Sequence, residues 1–265
     1  MRTLLVSALG LALASAAFAD TYVDFNAPGD FATYFSSAQS GGIIASGSGG
    51  LSDSGSLDIT GLPSAPQMIT FNQGFSPTMS SWSASIYFYG DAQNFWQFGV
   101  TTKAAPDLDD FGYPGSEGES LPVIWIQTGN DSGGALGIGN YSPGPFHPEE
   151  WNSTLVPSGL PTSNAWYRYT ISGTYLGDDQ YDIHALLYEA NADGTLGAQL
   201  AEFSFEVYNS GLAASETLYF FISPGQGVTL DNFHTDLEAI PEPATLPVLL
   251  AGAAVLAWHR RRSRR

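Results

Sequence analysis

Cysteine is absent from the 265 residues, so no disulfide can brace the fold and stability has to come from a packed core. Basic side chains are nearly as scarce, with 8 Lys+Arg against 26 Asp+Glu. Six of the 8 sit at the two ends: Arg2, then Arg260, Arg261, Arg262, Arg264 and Arg265. Between residues 20 and 240 only Lys103 and Arg168 remain against 25 acidic residues, a formal charge of −23. A surface of that sign excludes nucleic acid and anionic membranes as electrostatic partners. It favours solubility but loads the compact state with self-repulsion, which divalent cations relieve; clustered Asp, Asn and carbonyl oxygens suit calcium.

Several chemistries are missing their parts. The histidines, His147, His184, His234 and His259, are mutually isolated and give no zinc spacing. Asn130-Asp131-Ser132-Gly133-Gly134 looks like the nucleophile segment of trypsin-like proteases, but no histidine precedes Ser132, where that mechanism needs its base. Glu117 and Glu119 lie in a Gly-rich stretch, and the adjacent Glu149 and Glu150 point apart in extended chain. Neither pair matches the paired carboxylates of glycoside hydrolysis. Phosphate loops, dinucleotide fingerprints and nucleophile elbows are absent. No catalytic residue is therefore assigned.

What is present begins with two unlike ends. Met1-Arg2-Thr3 is a positive start, Leu4–Ala14 an apolar stretch, and Ala17-Phe18-Ala19 a small-residue cleavage site before Asp20. Those three parts make residues 1–19 a secretory signal peptide, with Ala17, Ala19 and Asp20 forming the signal peptidase site. At the other end, Ile240-Pro241-Glu242-Pro243 precedes the uncharged run Ala244–Trp258 and then His259-Arg260-Arg261-Arg262-Ser263-Arg264-Arg265. As a helix the run spans roughly 22 Å at ~1.5 Å per residue, short of the ~30 Å hydrocarbon core. The basic end stays cytoplasmic beside such a segment, leaving the rest of the chain on the other side.

This tripartite tail closely resembles the PEP-CTERM sorting signal of Gram-negative bacteria. The resemblance covers residues 239–265 and implies recognition of Pro241, Glu242 and Pro243 by an exosortase-type protease. Arg260, Arg261 and Arg262 then hold the short transmembrane helix in place until processing. It also implies export across the inner membrane to the cell surface, outer membrane or extracellular matrix, and an association with exopolysaccharide and biofilm.

The remaining span, 20–238, reads as one acidic all-β domain, an antiparallel β-sandwich of jelly-roll type. Period-two alternation recurs, with Trp82, Ala84, Ile86 and Phe88 facing one way and Ser83, Ser85, Tyr87 and Tyr89 the other. Tyr181, Ile183, Ala185 and Leu187 alternate in the same way, as do Phe203, Phe205 and Val207. Strands are expected at 22–25, 56–60, 67–72, 81–89, 95–101, 123–128, 135–141, 166–176, 181–189, 200–208, 217–223 and 228–237. Turns are expected at Gly177-Asp178-Asp179 and Asn191-Ala192-Asp193-Gly194. Long irregular stretches at 27–54, 104–120 and 142–164 are expected to be loops over the sandwich or, in part, further strands, and a linker is expected at His234–Ala239.

Trp166-Tyr167-Arg168-Tyr169-Thr170-Ile171 and the closing Leu230-Asp231-Asn232-Phe233 resemble concanavalin-like and carbohydrate-binding jelly rolls. In jelly-roll carbohydrate-binding modules the first and last strands often lie together and share a structural cation. That resemblance implies calcium at Asp24 and Asp231, with Asp20 as an added ligand. Sugars stack on exposed aromatics, which makes Trp151, Trp125 and Trp96 candidates, whereas Trp82 belongs to a core-facing set. The functional expectation is a non-enzymatic surface or matrix protein that binds polysaccharide. The alternative is a secreted glycan hydrolase or lyase on a concanavalin-like sandwich.

Overall fold

Strands whose alternate side chains are apolar need a partner sheet to cover them, and the chain supplies two. The computed structural model describes residues 20–37, 43–59, 68–92, 97–102, 104–105, 161, 163–178, 180–206, 216–223 and 227–237. Pro122–Gly129, Ala135–Asn140, Asn152–Leu155 and Val207 are described as backbone alone.

The first half runs β1 (Thr21–Val23), a short helix α1 (Asp30–Tyr34), β2 (Phe35–Ser37) and β3 (Ile43–Ser46). A 3-10 turn at Leu51–Asp53 leads to β4 (Ser56–Ile59), β5 (Ile69–Phe75), β6 (Ser81–Gly90) and β7 (Gln97–Thr101). Then come β8 (Pro122–Gly129), β9 (Ala135–Asn140), β10 (Asn152–Leu155) and the long β11 (Ala165–Gly177). The chain continues with β12 (Gln180–Ala190), β13 (Leu196–Val207), β14 (Leu218–Ser223) and β15 (Val228–Thr235).

These form an eight-stranded sheet in the order β13-β12-β11-β6-β15-β4-β3, with β1 paired to β15, and a seven-stranded sheet in the order β10-β9-β8-β7-β14-β5-β2. All pairings among the described residues are antiparallel. The first and last strands do lie together, with Thr21 opposite Thr235, Tyr22 opposite His234 and Val23 opposite Phe233.

The core is the filling between the sheets. Trp82, Ala84, Ile86 and Phe88 of β6 and Tyr181, Ile183, Ala185 and Leu187 of β12 are fully buried, as the alternation requires. Two aromatic clusters tie the layers together. Phe75 and Phe220 of the smaller sheet meet Trp82 at centroid distances of 5.7 and 5.8 Å. Phe35 and Phe71 meet Phe233 at 5.3 and 4.8 Å. Each such side chain contributes about 1.5–3 kcal/mol by leaving water.

Every expected strand overlaps an observed one. The irregular stretch at 27–54 holds α1, β2, β3 and the 3-10 turn, and that at 142–164 holds β10. These strands are 3–4 residues long, too short to display a period. Gly194 takes the expected positive φ of +80° in the β12–β13 turn, and Gly177 and Asp178 carry the β11–β12 turn at +97° and +47°. The linker expected at His234–Ala239 starts later. His234 and Thr235 belong to β15, and Leu237 is buried with its carbonyl accepting from Thr21 Oγ1 at 3.1 Å.

Among the described residues no helix is long and apolar enough to cross a membrane. The expected signal peptide and sorting tail lie outside the described residues.

Candidate functional site

The two sheets differ in their outer faces. In the smaller sheet β7 is buried on both sides, and so are Thr70, Phe221 and Ser223 on the neighbouring strands. In the larger sheet the outward residues of β6, β11, β12 and β13 are mostly half-buried or exposed. A broad face of that kind is where an extended ligand can lie.

Register sets its rows. One row runs Asp231, Tyr87, Arg168, Tyr188 and Gln199 across β15, β6, β11, β12 and β13. The next holds Thr229, Tyr89, Trp166 and Ala190, with the Tyr89 and Trp166 rings 5.5 Å apart. On the other side lie Tyr22, His234, Ser85, Thr170, Leu186 and Glu202.

The face is overhung at one end. Tyr87 Oη donates to the Gly194 carbonyl at 2.9 Å, so the β12–β13 turn folds back over β6. Ser52 N–H reaches the Ala192 carbonyl of the same turn at 2.5 Å. The turn and the 3-10 segment together form a rim above the Asp231–Tyr87–Arg168 row.

Arg168 lies in the floor. Its guanidinium carbon sits 5.6 Å from the Tyr87 ring centroid and Nη2 donates to Ser85 Oγ at 3.1 Å. Its Nε is buried without a hydrogen-bond partner. Further along, Tyr188 Oη donates to Gln199 Oε1 at 2.9 Å and Gln199 Nε2 to Glu202 Oε2 at 2.8 Å. Glu202 Oε1 meets His184 Nε2 at 2.9 Å. The Gln199 amide and then His184 hold the Glu202 carboxyl below its usual range.

Asp231 is fully buried and acts as an anchor. Its Oδ2 accepts from Leu51 N–H at 2.7 Å and Ser54 Oγ at 2.9 Å, and Oδ1 from Asn232 N–H at 2.7 Å. Asn232 has a φ of +49°, a left-handed conformation that asparagine tolerates. It sits in the register shift between Asp231 and His234, a bulge that re-aims the Asp231 side chain. Burial pushes the Asp231 carboxyl up to about 6 despite the three hydrogen bonds, with Asp24 adding to the rise. Tyr22 is raised as well, by burial first and then by Asp231 and Asp24.

The expected cation ligands are thus brought to one end of the sheet, but as anchors. Asp24 accepts from Asn26 N–H at 3.2 Å and Asn26 Nδ2 at 2.6 Å, and Asp231 from the three donors above. Calcium needs six to eight oxygen ligands, whereas N–H and O–H donors surround these carboxylates. Asp20 pairs instead with His234 Nε2 at 3.3 Å. Among the described residues no group of three His, Cys, Asp or Glu is arranged to hold a metal ion. Among the described residues these two carboxylates alone do not make up that ligand set.

The other expected residues fall elsewhere. Trp82 is buried, as its alternation required. Trp96 and Trp151 and the Trp125 side chain lie outside the described residues, as do Ala17, Ala19, Pro241, Glu242, Pro243, Arg260, Arg261 and Arg262. Arg168, Tyr87, Tyr188, His184 and Glu202 were not singled out from sequence as a site. The signal that could have found the first is its rarity, one of two basic residues in a span with 25 acidic ones.

No family model and no curated protein matches the chain. Among solved structures it is similar to the carbohydrate recognition domain of Emp46p in its metal-free form, with a TM-score of 0.49 and 9% identity, over 78% of this chain and 90% of that one. It is also similar to the legume lectin-like domain from Entamoeba histolytica, with a TM-score of 0.41 and 9% identity over 79% and 92%. Alginate lyase Aly36B gives a TM-score of 0.44 and 14% identity over 83% and 97%. At these scores the likenesses assign neither a ligand nor an activity to this chain.

Proposed function

We propose that the chain is an exported cell-surface or matrix protein whose sandwich binds polysaccharide, without turnover, on the outer face of its eight-stranded sheet. The contrast between the two sheets carries the binding part. One outer face is buried at its centre; the other presents Tyr89, Trp166, Arg168 and Tyr188 in adjoining register rows. Aromatic rings beside hydrogen-bonding side chains suit a sugar chain, whose ring faces are apolar and whose rims are polar. Delivery rests on the sequence of the two ends, with a signal peptidase acting near Asp20 and an exosortase-type protease near Pro241-Glu242-Pro243.

Two experiments test this reading. Full-length protein is incubated with insoluble polysaccharides of different composition, and retention on at least one is expected; failure on all of them overturns the binding claim. In a producing Gram-negative host, Glu242→Gln or deletion of residues 260–265 is expected to leave unprocessed protein in the inner membrane. Unchanged mass and location overturn the sorting claim.

A secreted glycan hydrolase or lyase is the second reading. The His184–Glu202 contact on the same face favours it, since it joins two proton-carrying groups, with Tyr188 linked to Glu202 through the Gln199 amide. Sugar release or unsaturated products from any of the same polymers would establish it over the first.

A further inference from the structure

Arg168 lacks the partner that this domain could most easily have given it. Residues 20–240 hold 25 carboxylates, yet among the described residues none lies within 4.0 Å of the guanidinium. Its cross-strand neighbours are Tyr87 and Tyr188. A half-buried cation without a counter-charge is costly to keep, and its contacts here are one hydroxyl, Ser85 Oγ, and one ring face, Tyr87. The ring holds the guanidinium plane without neutralising it. Tyr87 is itself fixed by its hydrogen bond to the Gly194 carbonyl, so the cation is held in place before any ligand arrives.

We propose that Arg168 recognises the carboxylate of an acidic polysaccharide, a chain of hexuronate units lying across the outer face. This rests on the polysaccharide-binding reading above and names the ligand class. A planar guanidinium matches a carboxylate in shape and charge, and Trp166 and Tyr89 in the next row offer ring surface to an adjoining sugar. A neutral glycan would leave the charge uncompensated. The domain's overall negative charge opposes a polyanion at long range, but at physiological ionic strength that field is screened within about 8 Å. Recognition then depends on the short-range contact at Arg168.

The test uses full-length protein with polygalacturonate, the same polymer after carboxyl reduction, sulfated dextran and a neutral mannan. Wild type is expected to bind polygalacturonate about tenfold or more tighter than its carboxyl-reduced form, one charge-assisted contact per site being worth that factor. Arg168→Gln is expected to lose the same factor and Arg168→Lys only part of it, with circular dichroism unchanged and the melting temperature of Arg168→Gln no lower than that of wild type. Should Arg168→Gln fail to fold, the carboxyl-reduced polymer on wild-type protein still decides. Equal binding of the acidic and reduced polymers, or of wild type and a folded Arg168→Gln, overturns the role of Arg168 but leaves polysaccharide binding standing. Equal capture by sulfated dextran overturns the carboxylate assignment, and binding to none of the polymers overturns the underlying reading as well.

Discussion

The Trp82 indole lies over Gly173, its directly opposed partner on the neighbouring strand, and fills the space a side chain there would need. Glycine on an inward position of β11 thus makes room for the largest ring of the core. The same ring meets Phe75 and Phe220 of the opposite sheet. Gly173→Ala puts a Cβ into that ring and is expected to destabilise the fold by about 1–3 kcal/mol, the usual cost of overpacking. Trp82→Phe in the same background is expected to recover part of the loss. Urea unfolding of the two single variants and the double variant measures the coupling, and simple additivity would show that ring and glycine do not depend on each other.

Asp231 makes stability depend on pH in an unusual direction for a carboxylate. Its folded-state value is pushed up to about 6 from 3.8, so the folded chain binds its proton more tightly than the unfolded chain does. The resulting stabilisation is complete below about pH 3.8 and is lost as pH rises toward and through 6. It is on the order of 2–3 kcal/mol at about 1.4 kcal/mol per unit. Relief of general acidic repulsion runs the same way, so wild type has to be compared with Asp231→Asn. The variant is expected to show a shallower fall of melting temperature between pH 4.5 and 6.5. Parallel pH curves would remove Asp231 as the cause.

The sandwich was legible because its long strands are amphipathic: Trp82 to Phe88 and Tyr181 to Leu187 each declare a buried side by alternation alone. β2, β3 and β10 were not legible, since 3 or 4 residues cannot establish a period. The candidate site was less legible still. Its central row joins Asp231, Tyr87, Arg168 and Tyr188, and β6 reaches β15 and β11 only through pairings distant in sequence. Alternation says that Tyr87 and Arg168 each face outward, but not that they face each other. The Asp231-Asn232 pair stands out in the sequence, but what it builds is a bulge with a buried acceptor.

That acceptor bears on calcium. Asp24 and Asp231 already receive hydrogen bonds from Asn26, Leu51, Ser54 and Asn232, and a cation would have to displace those donors. The melting temperature is therefore expected to be the same in excess chelator as in millimolar calcium. A fall of several degrees on chelation, reversed by calcium and not by magnesium, would show that the end of the sheet rearranges around an ion.

The rim over the candidate site hangs on few contacts, which makes it separable from the rest of the fold. Tyr87 Oη holds the Gly194 carbonyl, and the Ser52 and Ala192 backbones make the second link. Tyr87→Phe keeps the ring under Arg168 but removes the hydroxyl, leaving the Gly194 carbonyl without that donor. The expected cost is about 1 kcal/mol, the net worth of one hydrogen bond. The larger effect should be local: faster amide exchange or proteolysis across Asn191–Thr195, with the strands of β6 and β11 as protected as before. If protection falls equally across the whole sheet, Tyr87 supports the sandwich as such. If neither changes, the turn keeps its place over the face through the Ser52 contact and the adjoining strand pairing alone.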